Sequence, residues 1–129
     1  MRASVLALLV AVCIGRNLAL QCWENDAETG EVQESKNTDY VYCAYVPESN
    51  RVFGLRTGED SMGAYDASFQ SSMTGYDVLT VCLYERYIHQ IHLFETSEYM
   101  FRCVCNVDLC NTPTNFNQFL QHQKRKTIK

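Results

Sequence analysis

Basic residues are scarce over most of this 129-residue chain, and no apolar run is long enough to cross a membrane as a helix. Between residues 20 and 123, fifteen acids face five bases (Lys36, Arg51, Arg56, Arg86 and Arg102), a net charge of −10. Nucleic-acid binding wants a basic face, so that class is disfavoured. The apolar run at 5–15 falls short of the roughly 20 residues that a membrane helix needs. Catalytic signatures are missing as well. There is no Gly-x-Ser-x-Gly elbow and no His-Glu-x-x-His zinc motif. The His-Asp pair and glycine-rich calcium loop of a secreted phospholipase are also absent. His89 and His92 form an H-x-x-H pair, but the β-formers around them predict a strand, in which residues three apart face opposite ways. No metal site, cofactor or enzymatic activity is expected. Asn37-Thr38-Asp39 and Asn111-Thr112-Pro113 both fail the N-glycosylation pattern, and no internal repeat is visible.

What is present begins with a leader. Met1 and Arg2 give a positive start, residues 5–15 form an uncharged apolar core, and Arg16 and Asn17 end it. This is the layout of a signal peptide over residues 1–19, with cleavage expected after Gly15 or Ala19. Its removal takes Cys13 and leaves six cysteines: Cys22, Cys43, Cys82, Cys103, Cys105 and Cys110. An even set in a short exported chain predicts a disulfide framework, although six cysteines allow 15 connectivities. The chain is therefore expected to be secreted and extracellular. Lys124, Arg125, Lys126 and Lys129 make the end basic, and four such charges are most simply read as solvated.

Residues 24–39 are polar and acidic and are read as a loop. The run YVYCAYV at 40–46 is dense in β-formers and stops at Pro47. Residues 54–77 are rich in glycine, serine and acids without a clear period, which predicts a long loop or a hairpin with a mobile tip. Strand signals return at 77–85, 87–94 and 99–105, with ETSE at 95–98 read as a turn in an antiparallel hairpin. Beyond Pro113, Phe116, Phe119 and Leu120 are spaced like a helix face. The segment is too short to hold a helix alone, so 113–129 is expected to be a polar, basic and flexible tail.

The stretch Cys103-Val104-Cys105-Asn106-Val107-Asp108-Leu109-Cys110-Asn111 resembles the closing signature of the three-finger domain family. That family includes lymphocyte antigen and urokinase-receptor modules, snake toxins and activin-receptor ectodomains. Cys105 and Cys110 enclose four residues, Asp108 stands at the family's acidic position, and Asn111 follows directly. Leu20-Gln21-Cys22-Trp23 looks like the family's first strand. The chain departs from the pattern in two ways. Val104 separates cysteines that are commonly adjacent, and two cysteines that would pair with each other are both missing. The resemblance implies a small all-β, disulfide-rich, divergent three-finger domain over 20–112. It also implies the pairing Cys22–Cys43, Cys82–Cys103 and Cys105–Cys110, with Asp108 and Asn111 in structural roles.

By the same resemblance the expected function is that of a non-enzymatic binding module, a secreted ligand or modulator of a cell-surface receptor or channel. The central finger would come from 44–81, with Tyr65, Phe69, Met73 and Tyr76 as candidate anchors, since exposed aromatics and methionine often dominate interfaces. These four would otherwise pack onto the sheet. The hydrophobic tail required by a lipid anchor is not found in the closing QHQKRKTIK. Two alternatives remain: a structural extracellular-matrix component, and a membrane-active defence or toxin-like effector using the basic tail.

Overall fold

The computed structural model describes residues 19–47, 54–70, 74–91 and 94–126. The expected leader, apart from Ala19, lies outside them. The described chain is small, mostly β and bridged by three disulfides. β1 (Leu20–Asn25) pairs antiparallel with β2 (Val32–Asn37) as a separate two-stranded sheet. β3 (Tyr42–Val46), β4 (Leu55–Glu59), β5 (Val81–Ile91) and β6 (Phe94–Cys105) form a four-stranded antiparallel sheet in the order β4-β3-β6-β5. Between β4 and β5 lies a short helix α1 (Gly63–Phe69), and α2 (Phe116–Lys126) ends the described chain. The strands thus run as three hairpins, β1–β2, β3–β4 and β5–β6.

β3 shows why its sequence is apolar throughout. All five residues are buried because both faces of this inner strand are covered. Cys43 and Tyr45 join one cluster with Cys22, Cys103, Cys105, Cys110 and Phe119. Tyr42 and Ala44 join the other with Tyr65 and Val104. A strand covered on both sides loses the alternation of a half-buried one.

The bridges concentrate in the first cluster. Cys22–Cys43 ties β1 to β3, Cys82–Cys103 ties β5 to β6, and Cys105–Cys110 closes the loop after β6. Each can contribute roughly 3 kcal/mol, a large share for a domain with so small a core. Within the closed loop Leu109 adopts a left-handed φ of 55°. Its N–H donates to the Gln21 carbonyl at 2.6 Å, which helps to hold that conformation. Gly58 has no room for a side chain, since a Cβ there would lie 2.2 Å from the Tyr40 ring.

Several expectations are corrected here. Residues 24–39 are not a loop but most of the β1–β2 hairpin, turned at Asp26, whose carboxylate accepts from the Glu28 and Thr29 N–H groups. Residues 54–77 contain β4 and α1. ETSE is not a turn: Glu95–Glu98 lie in β6, in unbroken register with β5. The segment expected to be a flexible tail is helical over Phe116–Lys126. Asn115 caps it, its side chain accepting the Gln118 N–H at 3.0 Å. Phe119 is fully buried 5.0 Å from the Tyr45 ring, and Gln123 donates to the Cys110 carbonyl at 2.8 Å. Tertiary burial supplies what an isolated eleven-residue helix lacks.

Phe119→Ala should therefore cost about 3–5 kcal/mol, the usual cost of emptying a buried phenylalanine site. Denaturant unfolding with the bridges intact would measure that loss, and hydrogen exchange should find the α2 amides exposed first. Exchange in α2 unchanged from wild type would contradict the packing argument.

Candidate binding surface

The register of β5 and β6 sorts their side chains into two faces. One carries Cys82, Tyr84, Arg86 and Ile88 with Cys103, Phe101, Tyr99 and Ser97. The other carries Leu83, Glu85, Tyr87 and His89 with Arg102, Met100, Glu98 and Thr96.

The first face starts in the disulfide cluster and runs out into solvent. Phe101 packs edge-on against Phe116 of α2 at 5.8 Å. Beyond it Tyr84 and Tyr99 stack on each other at 6.2 Å, 68% and 58% exposed, and Ile88 farther out is 48% exposed. Arg86, also exposed, stands opposite Tyr99. Stacked tyrosines offer flat apolar area with polar tips, and few rotamers need to be frozen on contact.

The second face is held by a buried arginine. Arg102, 7% exposed, grips Glu85 with two N–H groups at 2.9 and 3.0 Å and reaches Glu59 of β4 at 3.2 Å. It also donates to the Tyr87 hydroxyl and lies over the Tyr65 ring at 5.6 Å. Burial by itself would lower this guanidinium, but the Glu85 carboxylate and the neighbouring tyrosine hold it above its ordinary value. The knot joins β4, β5, β6 and α1. It fixes the angle at which the third hairpin leaves the body. Toward the tip, exposed His89 meets Glu98 at 3.4 Å. His92 lies outside the described residues.

A second buried arginine braces the base. Arg56, 1% exposed, donates to the carbonyls of Asn111, Thr112 and Thr114 at 2.7–2.8 Å and lies 4.4 Å from the Tyr45 ring centre. Its burial lowers the guanidinium below the usual value. Asp108 accepts the Gln21 N–H at 2.9 Å. Asn111 accepts the Trp23 N–H and donates to the carbonyls of Trp23 and Ala44, each at 2.9 Å. Both side chains therefore fasten the loop after β6 to the first hairpin.

The central-loop anchors fare differently. Tyr65 is fully buried and cannot contact a partner, which corrects its assignment. Phe69 stacks on Tyr42 at 5.1 Å and is half-buried. The Tyr42 hydroxyl beneath, pushed up to about 12 by burial and by its bond to Asp66, helps to pin α1 to the sheet. Tyr76 is 58% exposed, and Met73 lies outside the described residues. Sequence reasoning missed Tyr84, Ile88 and Tyr99. No alternation marked them, because Arg86 stands between Tyr84 and Ile88 on that face and Tyr87 lies on the other.

Among the described residues no group of His, Cys, Asp and Glu side chains is placed to hold a metal, and no helix is long and apolar enough to cross a membrane. A shallow recess of about 290 Å³ lies beside α2, lined by Thr114, Gln118, Gln121 and His122. It is small beside the usual ligand cleft and gathers no convergent charged groups.

No solved structure matches the chain. It is similar to the uncharacterized protein C02B8.3 of Caenorhabditis elegans, with 30% identity over 115 residues, covering 81% of this chain and 84% of that protein. The family model described as "Family of unknown function (DUF5354)" matches residues 12–124, a span that takes in every strand and most of α2. The chain belongs to the DUF5354 family.

Proposed function

We propose that this protein is a secreted, non-enzymatic binding module, built as a divergent three-finger domain. It engages an extracellular or cell-surface protein, such as a receptor or channel, through the outer face of its third hairpin. Three hairpins leaving one bridged base, and a closing loop tied down by Asn111, support the three-finger reading. The observation that carries the binding role is the stacked Tyr84–Tyr99 pair with Ile88, exposed together on a hairpin whose root is locked by Cys82–Cys103 and Arg102. Rigid aromatic side chains on a fixed scaffold are what interface hot spots are made of.

The test uses protein secreted from an oxidising host, with mass spectrometry confirming the three bridges and loss of residues 1–15 or 1–19. The labelled protein is then screened against an array of cell-surface ectodomains. For any ectodomain bound, Tyr84→Ser with Tyr99→Ser should weaken affinity about tenfold or more, at least ~1.4 kcal/mol. The same double variant should melt close to wild type, because both side chains are mainly solvated. Wild-type affinity in the variant would move the contact elsewhere on the molecule.

A further inference from the structure

β5 is the outermost strand of the four-stranded sheet, and among the described strands it pairs only with β6. From Arg86 to His89 four successive residues are exposed, whichever face they belong to, so the outer side of the strand stands open along this stretch. Its eleven residues contain no proline, no lysine and no break in register with β6. Those are among the devices by which proteins usually blunt a sheet edge, and of the others this stretch carries the exposed charge of Arg86.

The direction of the unpaired backbone groups follows from the register. Cys82 and Cys103 face each other with Cα atoms 4.0 Å apart, the close spacing of a non-hydrogen-bonded pair. Residues in such pairs turn their N–H and C=O away from the partner strand. By alternation Tyr84, Arg86 and Ile88 do the same, and their backbone groups point off the open edge.

We propose that this edge pairs with the β5 edge of a second copy of the same chain. The pairing is antiparallel, about a two-fold axis through Tyr87, and joins two sheets into one. The choice of occupant and register rests on parity and charge. Outward-pointing residues must meet outward-pointing residues, which requires the axis to pass through a residue. An axis at Arg86 sets Arg86 against itself, and one at Glu85 opposes two carboxylates; like charges directly opposite are destabilising. An axis at Ile88 avoids like charges but pairs only residues 85–91 of the two strands, whereas one at Tyr87 pairs 83–91 and sets Glu85, held from within its own chain by Arg102, opposite the His89 of the second copy. It also matches Arg86 with Ile88 and places the two Tyr87 rings side by side. Interfaces of this isologous kind are the commonest among soluble oligomers. The pairing goes beyond the partner-binding reading and does not depend on it. It would set the two Tyr84–Tyr99 faces on the same side of one continuous sheet.

Sedimentation of the full secreted chain, from about 1 to about 100 µM, reads the outcome. Salt at about 0.15 M screens repulsion between the acidic bodies beyond about 8 Å. The wild type should pass from monomer to dimer, and at the dimer end the amides of Tyr84, Arg86 and Ile88 should slow in hydrogen exchange. Arg86→Pro removes an N–H that points off the edge and leaves the β6 ladder its bonds, so it should remain monomeric. His89→Glu, which sets a carboxylate opposite each Glu85, should weaken the dimer about tenfold or more. Tyr99→Ser should dimerise like wild type while losing the partner contact, which separates the two readings. A wild type that stays monomeric overturns the proposal. So does a dimer that survives Arg86→Pro, or exchange at these three amides that does not respond to concentration. A different protein found paired along this edge would also overturn it.

Discussion

Arg102→Met is expected to destabilise the protein by about 3 kcal/mol, because it strands carboxylates rather than removing surface charge. The arginine side chain is 9% exposed and Glu85 only 18%, so solvent replaces little of what is lost. Glu59 is 26% exposed and recovers more of its hydration. A buried pair is costly to break from one side even where its net worth is small. The double variant Arg102→Met with Glu85→Gln should therefore recover a good part of the loss. For a domain of roughly 100 residues, each kcal/mol moves the melting midpoint by about 4–8 °C. Calorimetry of the single and double variants, completed as a double-mutant cycle with Glu85→Gln alone, would measure the coupling. A double variant no more stable than Arg102→Met would show that the loss comes from packing around Tyr65 and Tyr87 instead. The variant should also loosen the β5–β6 hairpin relative to the sheet, since Arg102 links it to β4.

Asn111→Ala should have an effect at least as large, about 3–5 kcal/mol. Asn111 is fully buried and makes three hydrogen bonds, two to the Trp23 backbone and one to the Ala44 carbonyl. Its loss leaves a part-buried donor and acceptor at Trp23 and a buried acceptor at Ala44 without that partner, and a stranded buried group costs about 1–3 kcal/mol. The three bonds join β1 and β3 to the loop after β6, so hydrogen exchange should rise at Trp23 before it rises in the β3–β6 ladder. Asn111→Asp keeps the shape but removes both donors and points an oxygen at two carbonyls, so it should be no better tolerated than alanine at neutral pH. A drop in stability below about 1 kcal/mol for the alanine variant would mean that water takes over these contacts.

How far the fold could be read from the residues depended on where each segment buries its side chains. β3 was legible as YVYCAYV because an inner strand covered on both sides must be apolar at every position. The strands around Cys82 and Cys103 were legible because β-branched and aromatic residues cluster at the base of the sheet. Farther out, the third hairpin is wet on both faces, so no pattern marks Glu95–Glu98 as strand; their pairing with β5 does. The first hairpin hid for the same reason. β2 reads VQESKN and is held mainly by its ladder to β1, while Cys22 ties β1 to the base. Of the central-loop candidates, Tyr65 and Phe69 turn inward, because composition cannot tell an aromatic that faces solvent from one that α1 folds onto Tyr42.

Helix α2 marks the boundary between the two kinds of information most clearly. Phe116, Phe119 and Leu120 announce an apolar face, yet an isolated helix of this length is marginal in water, and a flexible tail was the reasonable expectation. Only the presence of Tyr45, Phe101 and the bridges beneath makes folding it worthwhile. What the sequence determined alone is the class: a small, acidic, cysteine-rich β domain, since these follow from composition and spacing. Which aromatics are buried, which arginines brace the sheet and which strand lies open at the edge were decided by the tertiary structure. Those properties depend on what residues far apart in the chain bring against one another, and local pattern carries no record of that.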